Sequence, residues 1–364
     1  MDFELNRKDL HDSRFVLGDP PSPEDGQALL RIESFGLTSN NITYAVFGEA
    51  MKYWDFFPAS DPGWGKLNVW GYAHVEQSRH PDLAQGVRVY GYFPCASHLL
   101  VVPDRVNEKG FVDAAPHRAQ LASAYQGYRD VTADPVYSAD LEAEHILFFP
   151  LFFTSFLIDD FLADEDFFGA DTVVISSASS KTAIIAAYLL AKREGIEVVG
   201  LTSAGNREFV AGLNVYDSVH LYDAISQLPG ERAVYVDISG DGTVRADVHA
   251  RYGDRLAHSS AVGVTHWTQM AQGAGELAGP KPVFFFAPDR IKKRGIDWGT
   301  AKLDESVAEA WVPFARWASD WLRVERISTT DDIQRAYLEL LDGKLDPTAG
   351  TIVDLYQPTI EGNP

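Results

Sequence analysis

The run Ser176-Ser177-Ala178-Ser179-Ser180-Lys181-Thr182 lies between two apolar segments, DTVVIS (Asp171 to Ser176) and TAIIAAYLLAKRE (Thr182 to Glu194). A turn from a strand into a helix presents N–H groups at the positive end of the helix dipole, which suits an anionic phosphate. Ser177, Ser179, Ser180 and Thr182 add small hydroxyl donors there, and Lys181 adds a positive charge. The loop holds no glycine, so it is neither the G-x-G-x-x-G fingerprint nor a Walker A loop. A serine-capped helix without a ligand is the alternative. The end of the following strand is more informative. An acid at that point holds the ribose hydroxyls of NAD, whereas neutral donors and a basic residue suit the 2′-phosphate of NADP. Here it carries Thr202, Ser203, Asn206 and Arg207, while Glu197 lies at the strand's other end. A dinucleotide at this site is therefore expected to be NADPH, with a solvated Arg207 at a helix start as the alternative.

The elements that must position these residues fall into two textures. Over the first hundred residues, short runs rich in β-branched and aromatic side chains read as strands: Ala28 to Ser34, Trp70 to Gln77, Gly86 to Tyr92 and His98 to Val102. DPPSPEDG (Asp19 to Gly26) and DPGWGK (Asp61 to Lys66) are loops. From Asp171 apolar strands alternate with helices, through Glu197 to Thr202, Ser218 to Tyr222, Ala233 to Ser239, Arg255 to Ser260 and Pro282 to Ala287. Largely apolar strands joined by helices predict a parallel sheet covered on both faces. Helices around Val307 to Leu322 and Asp331 to Leu341 and a strand over Gly350 to Leu355 close the chain. The expected fold class is α/β, a β-rich module followed by a doubly wound parallel sheet. The expected boundaries are 1–125 and 145–292, with 293–364 returning to the first module.

Composition limits the partners. The 364 residues carry 52 acids against 31 bases, a formal charge of −21. Nucleic acid and anionic membranes require a positive surface, so neither is expected as a partner. The single cysteine, Cys95, excludes an internal disulfide and any metal site built from several thiolates. The opening MDFELNRKDLHDSRF lacks an apolar core, and ILFFPLFFTSFLI (Ile146 to Ile158) is too short to span a bilayer, so the protein is expected to be cytoplasmic. His74, His98, His258 and His266 form no metal pattern in the sequence.

GQALLRIESFGLTSNN (Gly26 to Asn41), GVRVYGYFPCASHLLVVP (Gly86 to Pro103), the first two strand–helix units from Asp171, and Gly343-Lys344 before GTIVDL together resemble the medium-chain dehydrogenase/reductase superfamily, especially its zinc-free quinone-oxidoreductase and enoyl-reductase branches. The resemblance covers nearly the full length and implies a GroES-like domain followed by a Rossmann domain. It implies reduction, by hydride transfer from NADPH, of an α,β-unsaturated carbonyl, a quinone or an enoyl thioester, without zinc. In the enoyl-thioester branch a tyrosine shortly after the first turn donates the proton. Tyr53 is the better match and Tyr44 the second, with Thr38 and Asn41 in the turn itself. Tyr53 to Phe57, Trp64, Trp70 and Phe284 to Phe286 are candidate walls of an apolar cleft. Thr154 falls where the family often has a threonine before the cofactor-binding helix. Many zinc-free members are dimers that pair the last Rossmann strand, here PVFFFA, so a homodimer acting on a small molecule is expected. The loop departs from the family's usual A-x-x-G-x-x-G. Alternative readings are a repurposed scaffold with a degenerate loop, or lyase or isomerase chemistry in the same place.

Overall fold

The computed structural model describes residues 1–262 and 277–355. It divides into two compact units, Met1–Leu147 with the chain from Ala318 onward, and Phe148–Trp317. The first unit opens with β1 (Asp2–Asn6), β2 (Asp9–Val16), β3 (Ala28–Leu37), helix α1 (Ser39–Val46), β4 (Trp64–Lys66) and β5 (Asn68–Ser78). It continues through β6 (Arg88–Pro94), β7 (His98–Val101), β8 (Pro103–Asn107), β9 (Gly110–Asp113) and β10 (Gly127–Asp130). The chain passes into the second unit within helix α2 (Glu142–Asp164). There follow β11 (Thr172–Ile175), α3 (Lys181–Leu190), β12 (Glu197–Thr202), α4 (Arg207–Gly212), β13 (Ser218–Leu221), β14 (Ala233–Asp237), α5 (Gly242–Tyr252), β15 (Leu256–Ala261), β16 (Val283–Phe284) and α6 (Ala287–Asp297). Helix α7 (Thr300–Ser319) leads back to the first unit and to β17 (Arg323–Ile327), α8 (Thr330–Leu341) and β18 (Ala349–Asp354).

In the second unit the six strands are parallel in the order β13-β12-β11-β14-β15-β16. This is the 3-2-1-4-5-6 arrangement of a Rossmann sheet, in which the strand order reverses between the first and fourth strands. β11, β12 and β14 lie in the middle and are almost entirely buried, which explains why they read as near-continuous apolar runs. In the first unit β2-β1-β4 form a small antiparallel sheet, and β17-β18-β3-β5-β6-β10-β9-β8 form the main one, with β7 also paired to β3. The α/β class and the β-rich-then-Rossmann order expected from the sequence are both present.

Strand alternation gives the main sheet of the first unit two different faces. Val69, Ala73 and Val75 of β5 and Val89 and Phe93 of β6 enter an aliphatic core shared with Phe3, Leu30, Ile32 and Phe35. The alternate positions pair across the strands as Trp70 with Tyr92, Tyr72 with Tyr90 and His74 with Arg88. The second face is thus aromatic and polar.

Several boundaries differ from the expected ones. The first unit extends to Leu147 instead of 125, and residues 293–317 cluster with the second unit instead of returning. The greasy segment from Ile146 does not stop at Asp159-Asp160. Helix α2 runs on to Asp164 with Pro150 inside it, and by length and composition it is long and apolar enough to cross a membrane. Two-thirds of its apolar window is nevertheless buried. Its acids are held inside the second unit, Asp159 by Arg193 at 2.6 Å and Asp160 by Arg294 at 2.7 Å. Of PVFFFA, Val283 and Phe284 alone form strand, and Ala287 already begins α6.

Candidate functional site

In the second unit the serine loop leaves the carboxyl end of β11 beside that of β14. Ser176 is fully buried, and its hydroxyl donates to Asp237 Oδ1 (3.0 Å) while accepting the N–H groups of Ile238 and Ser239 (3.0 Å each). Ser177 adopts the left-handed conformation, φ 53°, a region that favours glycine. Its N–H donates to the Tyr222 hydroxyl (3.0 Å), and its C=O accepts from Ser180 N–H (2.8 Å). Ala178 is pinned by its N–H to Leu201 C=O (2.9 Å), and its own C=O accepts from the Tyr216 hydroxyl (2.9 Å). Ser180 caps α3, accepting Ala183 N–H at 3.3 Å. Ser179 Oγ accepts from Asn206 Nδ2 (2.9 Å), so the loop and the start of α4 are joined.

Thr202 ends β12 with 1% exposure, and among the described residues its hydroxyl has no hydrogen-bond partner. A buried hydroxyl left unsatisfied is costly. Ser203 and Arg207 are exposed beyond it, and Asn206 is half-buried. Lys181 is the first residue of α3, its Nζ 5.8 Å from the centre of the Phe148 ring. The Thr154 hydroxyl turns back to Pro150 C=O in its own helix (3.4 Å). Its neighbour Ser155, fully buried, reaches Thr182 C=O at 3.0 Å and so ties α2 to the start of α3. The residues present therefore fit an anionic dinucleotide: a capped helix start, a loop with hydroxyls, and bases at Lys181 and Arg207.

Four residues of this site escaped the sequence. Tyr216, before β13, and Tyr222, after it, strap the loop, and burial pushes both phenols above their ordinary range. Asp237 and Arg245 pair at the end of β14 (2.7 Å). An acid that closes an apolar strand and is followed by Ile-Ser-Gly, as in VYVDISG, was the available signal.

In the first unit, α1 carries Tyr44 onto the aromatic face of β5 and β6. Thr38 is its N-cap, and Asn41 at the third helical position returns Oδ1 to Thr38 N–H (2.6 Å). Asn41 Nδ2 donates to Asn68 C=O (2.8 Å), and Asn68 Nδ2 donates to Tyr53 C=O (2.8 Å). Thr38 and Asn41 are both buried, and this chain of bonds fixes where Tyr53 sits. The Tyr44 oxygen accepts two N–H donors, Asn40 Nδ2 (2.8 Å) and Trp70 Nε1 (2.9 Å). The Tyr53 hydroxyl lies 3.2 Å from that of Tyr125, a residue that no sequence pattern marks. Ring centres of Tyr44 lie 4.8 Å from Tyr53 and 5.2 Å from Tyr92. Burial raises the phenol pKa of Tyr44, Tyr53 and Tyr125, so all three stay protonated at neutral pH.

The structure gathers Tyr53, Phe56, Phe57 and Trp70 of the expected cleft wall around Tyr44 and Tyr92. Trp54 is instead wedged against Gly48 and Gly65 in the aliphatic core, and Trp64 lies under the Arg14 guanidinium (3.8 Å). Phe284 and Phe286 belong to the second unit and are exposed. His74, His98 and His258 each have partners: Glu33, Glu76, and Ser260 with the Phe168 ring. His266 lies outside the described residues. Cys95 is buried on β6's aliphatic side of the sheet core, and no group of three or more His, Cys, Asp or Glu side chains among the described residues is arranged to hold a metal.

A family model described as "Protein of unknown function (DUF2855)" matches residues 35–346. A search of curated proteins returns no match. Among solved structures, CurA from Vibrio vulnificus in complex with NADPH is 14% identical over 95% of both chains, with a TM-score of 0.59. A putative NADPH:quinone reductase from Mesorhizobium loti is 12% identical over 92% of this chain and 88% of that one, with a TM-score of 0.56. The human synaptic vesicle membrane protein VAT-1 homolog-like protein is 13% identical over the whole of both chains, with a TM-score of 0.55. At these identities the likeness establishes a shared fold, that of the medium-chain dehydrogenases and reductases.

Proposed function

The chain belongs to the DUF2855 family, and we propose that it is an NADPH-dependent, zinc-free reductase of an α,β-unsaturated carbonyl, a quinone or an enoyl thioester. The observation that carries the cofactor half of this reading is the serine loop at the carboxyl end of the first Rossmann strand, turned at Ser177 into the Ser180-capped start of α3. The NADPH complexes among proteins of this fold support it. Ser177, Ser179, Ser180, Lys181 and Thr182 would hold the pyrophosphate. Thr202, Ser203, Asn206 and Arg207 would hold the ribose and its 2′-phosphate, and Thr154 of α2 would be a further cofactor contact. NADPH, when bound, supplies a hydride. The chain's own residues must orient the acceptor, exclude water and deliver a proton. Tyr53 is the proton donor, Tyr125 its hydroxyl partner, and Tyr44 a second hydroxyl oriented by Asn40 and Trp70. Thr38 and Asn41 position Tyr53 through Asn68.

Isothermal titration with NADPH and NADH tests the reading. Binding of NADPH more tightly than NADH is expected, and Arg207→Ala should remove most of that preference. No heat with either cofactor at millimolar concentration would sink the proposal. That outcome would favour a scaffold whose loop is satisfied internally, as the Ser177–Tyr222 and Ser179–Asn206 bonds allow. A homodimer is part of the reading, because β16 is an edge strand whose Val283 and Phe284 are more than half exposed. Light scattering should return twice the chain mass, and Phe284→Glu should halve it.

A further inference from the structure

The strand order of the second unit reverses between β11 and β14, and a ligand of such a sheet sits in the crevice outside their carboxyl ends. A fully buried carboxylate occupies that place. Asp237 Oδ1 accepts from Ser176 Oγ (3.0 Å), Tyr235 Oη (3.1 Å), Ser239 Oγ (3.0 Å) and Gly240 N–H (3.0 Å). The other oxygen, Oδ2, accepts from Arg245 Nε and lies 2.7 Å from Arg245 Nη2. A buried negative charge beside a phosphate loop opposes an anionic ligand unless a cation offsets it. Arg245 is that cation. It lies in the first turn of α5, its side chain is 23% exposed, and Asp237 does not engage its Nη1 edge.

We propose that Arg245 is a pyrophosphate-binding residue of the dinucleotide site, and that Asp237 is a positioning residue that both anchors the serine loop through Ser176 and restrains the guanidinium. The inference rests on the dinucleotide reading above. It adds a distinction that reading lacks: Arg245 acts on the pyrophosphate common to NADPH and NADH, whereas Arg207 acts on the 2′-phosphate found on NADPH alone. The two arginines should therefore separate by cofactor. An amide in place of the Asp237 carboxylate keeps Oδ1 for its four donors. It sets an N–H₂ against the guanidinium, which frees Arg245 for the ligand.

The experiment is isothermal titration of NADPH and NADH into the full chain and its Arg245→Met, Asp237→Asn and Asp237→Asn/Arg245→Met variants, each checked for folding by circular dichroism. Arg245→Met should weaken both cofactors by the same factor, roughly tenfold, the scale of one hydrogen bond to a charged group. Asp237→Asn should tighten both and steepen their salt dependence, and the double variant should lose that gain. If the wild-type chain binds and Arg245→Met binds both cofactors as wild type does, the Arg245 assignment is wrong while the dinucleotide reading stands. The assignment fails equally if Asp237→Asn weakens binding with or without Arg245, since the carboxylate would then serve the loop alone. If the wild-type chain binds neither cofactor, both proposals fall together.

Discussion

Replacing Tyr53 by phenylalanine separates catalysis from structure more sharply than any other change in the first unit. The substitution keeps the ring and its contacts with Tyr44 (4.8 Å), Tyr125 (5.6 Å) and Phe56 (6.4 Å). It also leaves the backbone bond from Asn68, which places the residue. What is lost is one neutral hydroxyl pair at 3.2 Å, worth about 0.5–1.5 kcal/mol of stability. If Tyr53 donates the proton, the rate should fall about 10²- to 10⁴-fold, or roughly 3–5 kcal/mol on the barrier. The kinetic loss should therefore exceed the stability loss by at least a factor of two. Tyr44→Phe is the contrasting case. It strips the acceptor from both Asn40 and Trp70 and should cost about 1–3 kcal/mol of stability.

The assay is NADPH consumption against a panel of enones, quinones and enoyl thioesters, with urea midpoints measured on the same preparations. Burial holds the Tyr53 phenol above its ordinary value of 10.0. A donor must be protonated, so the wild-type rate should not decline on the alkaline side until beyond about pH 10. A fully active Tyr53→Phe would refute the assignment. So would a folded Tyr44→Phe that loses more rate than Tyr53→Phe, which would pass the role to Tyr44.

His145 is fully buried with Nδ1 2.6 Å from the Tyr72 hydroxyl, and burial, with the Arg129 charge nearby, lowers its pKa from 6.5 to about 3. The unfolded chain takes up a proton below pH 6.5 that the folded chain refuses until about pH 3. Stability should thus be complete above pH 6.5 and fall as pH drops toward 3. His145→Gln should flatten urea midpoints across that window, by about 1.4 kcal/mol per pH unit, and an unchanged slope would reject the link. Asp113 and Arg118 form an ion pair with both side chains 1% exposed, and Arg118 also donates to Tyr125 C=O (2.7 Å). Asp113→Ala should cost about 3–5 kcal/mol in chemical denaturation because it leaves a buried guanidinium unpaired. Asp113→Asn, which keeps the Oδ1 bonds to Val102 and Ala115 N–H, should cost less, and equal losses would show that the charge is not the cause.

What the sequence made legible follows the range of the forces involved. β12 falls on the residues expected, Glu197–Thr202, because a strand buried on both faces is apolar throughout and glycine and serine bound it. The apolar run Ile146 to Ile158 ends at Asp159-Asp160, so it marks only part of helix α2. The partners of these two acids, Arg193 and Arg294, lie 34 and 134 residues away, beyond any local window. The alternation of Trp70, Tyr72 and His74 was visible as a strand. That it meets Tyr92, Tyr90 and Arg88 to make a separate aromatic face depends on the β5–β6 register, which no single strand carries. Tyr125 joins Tyr53 through a similar long-range contact, and Asp237 passed as one more residue of the strand expected over Ala233 to Ser239.

The missing glycines illustrate the same limit at the site itself. A nucleotide loop uses glycine for two geometric reasons, a left-handed turn and close approach of backbone to its neighbours. Here the requirements are met separately. Ser177 takes the turn at φ 53°, a conformation that costs an L-residue about 1–2 kcal/mol. Its two backbone bonds, to Tyr222 Oη and from Ser180 N–H, hold it there. The close approach comes from the neighbouring strand. A side chain at Gly200 would stand 3.1 Å from Ala178 Cβ and 2.9 Å from the Tyr216 ring, so its absence lets the loop lie down on β12. A search for glycines inside the loop finds none, although one of the two needs is met by a serine and the other by a glycine 22 residues beyond Ala178. The fingerprint records how most such loops meet these constraints, and this chain distributes them between a strained serine and a strand.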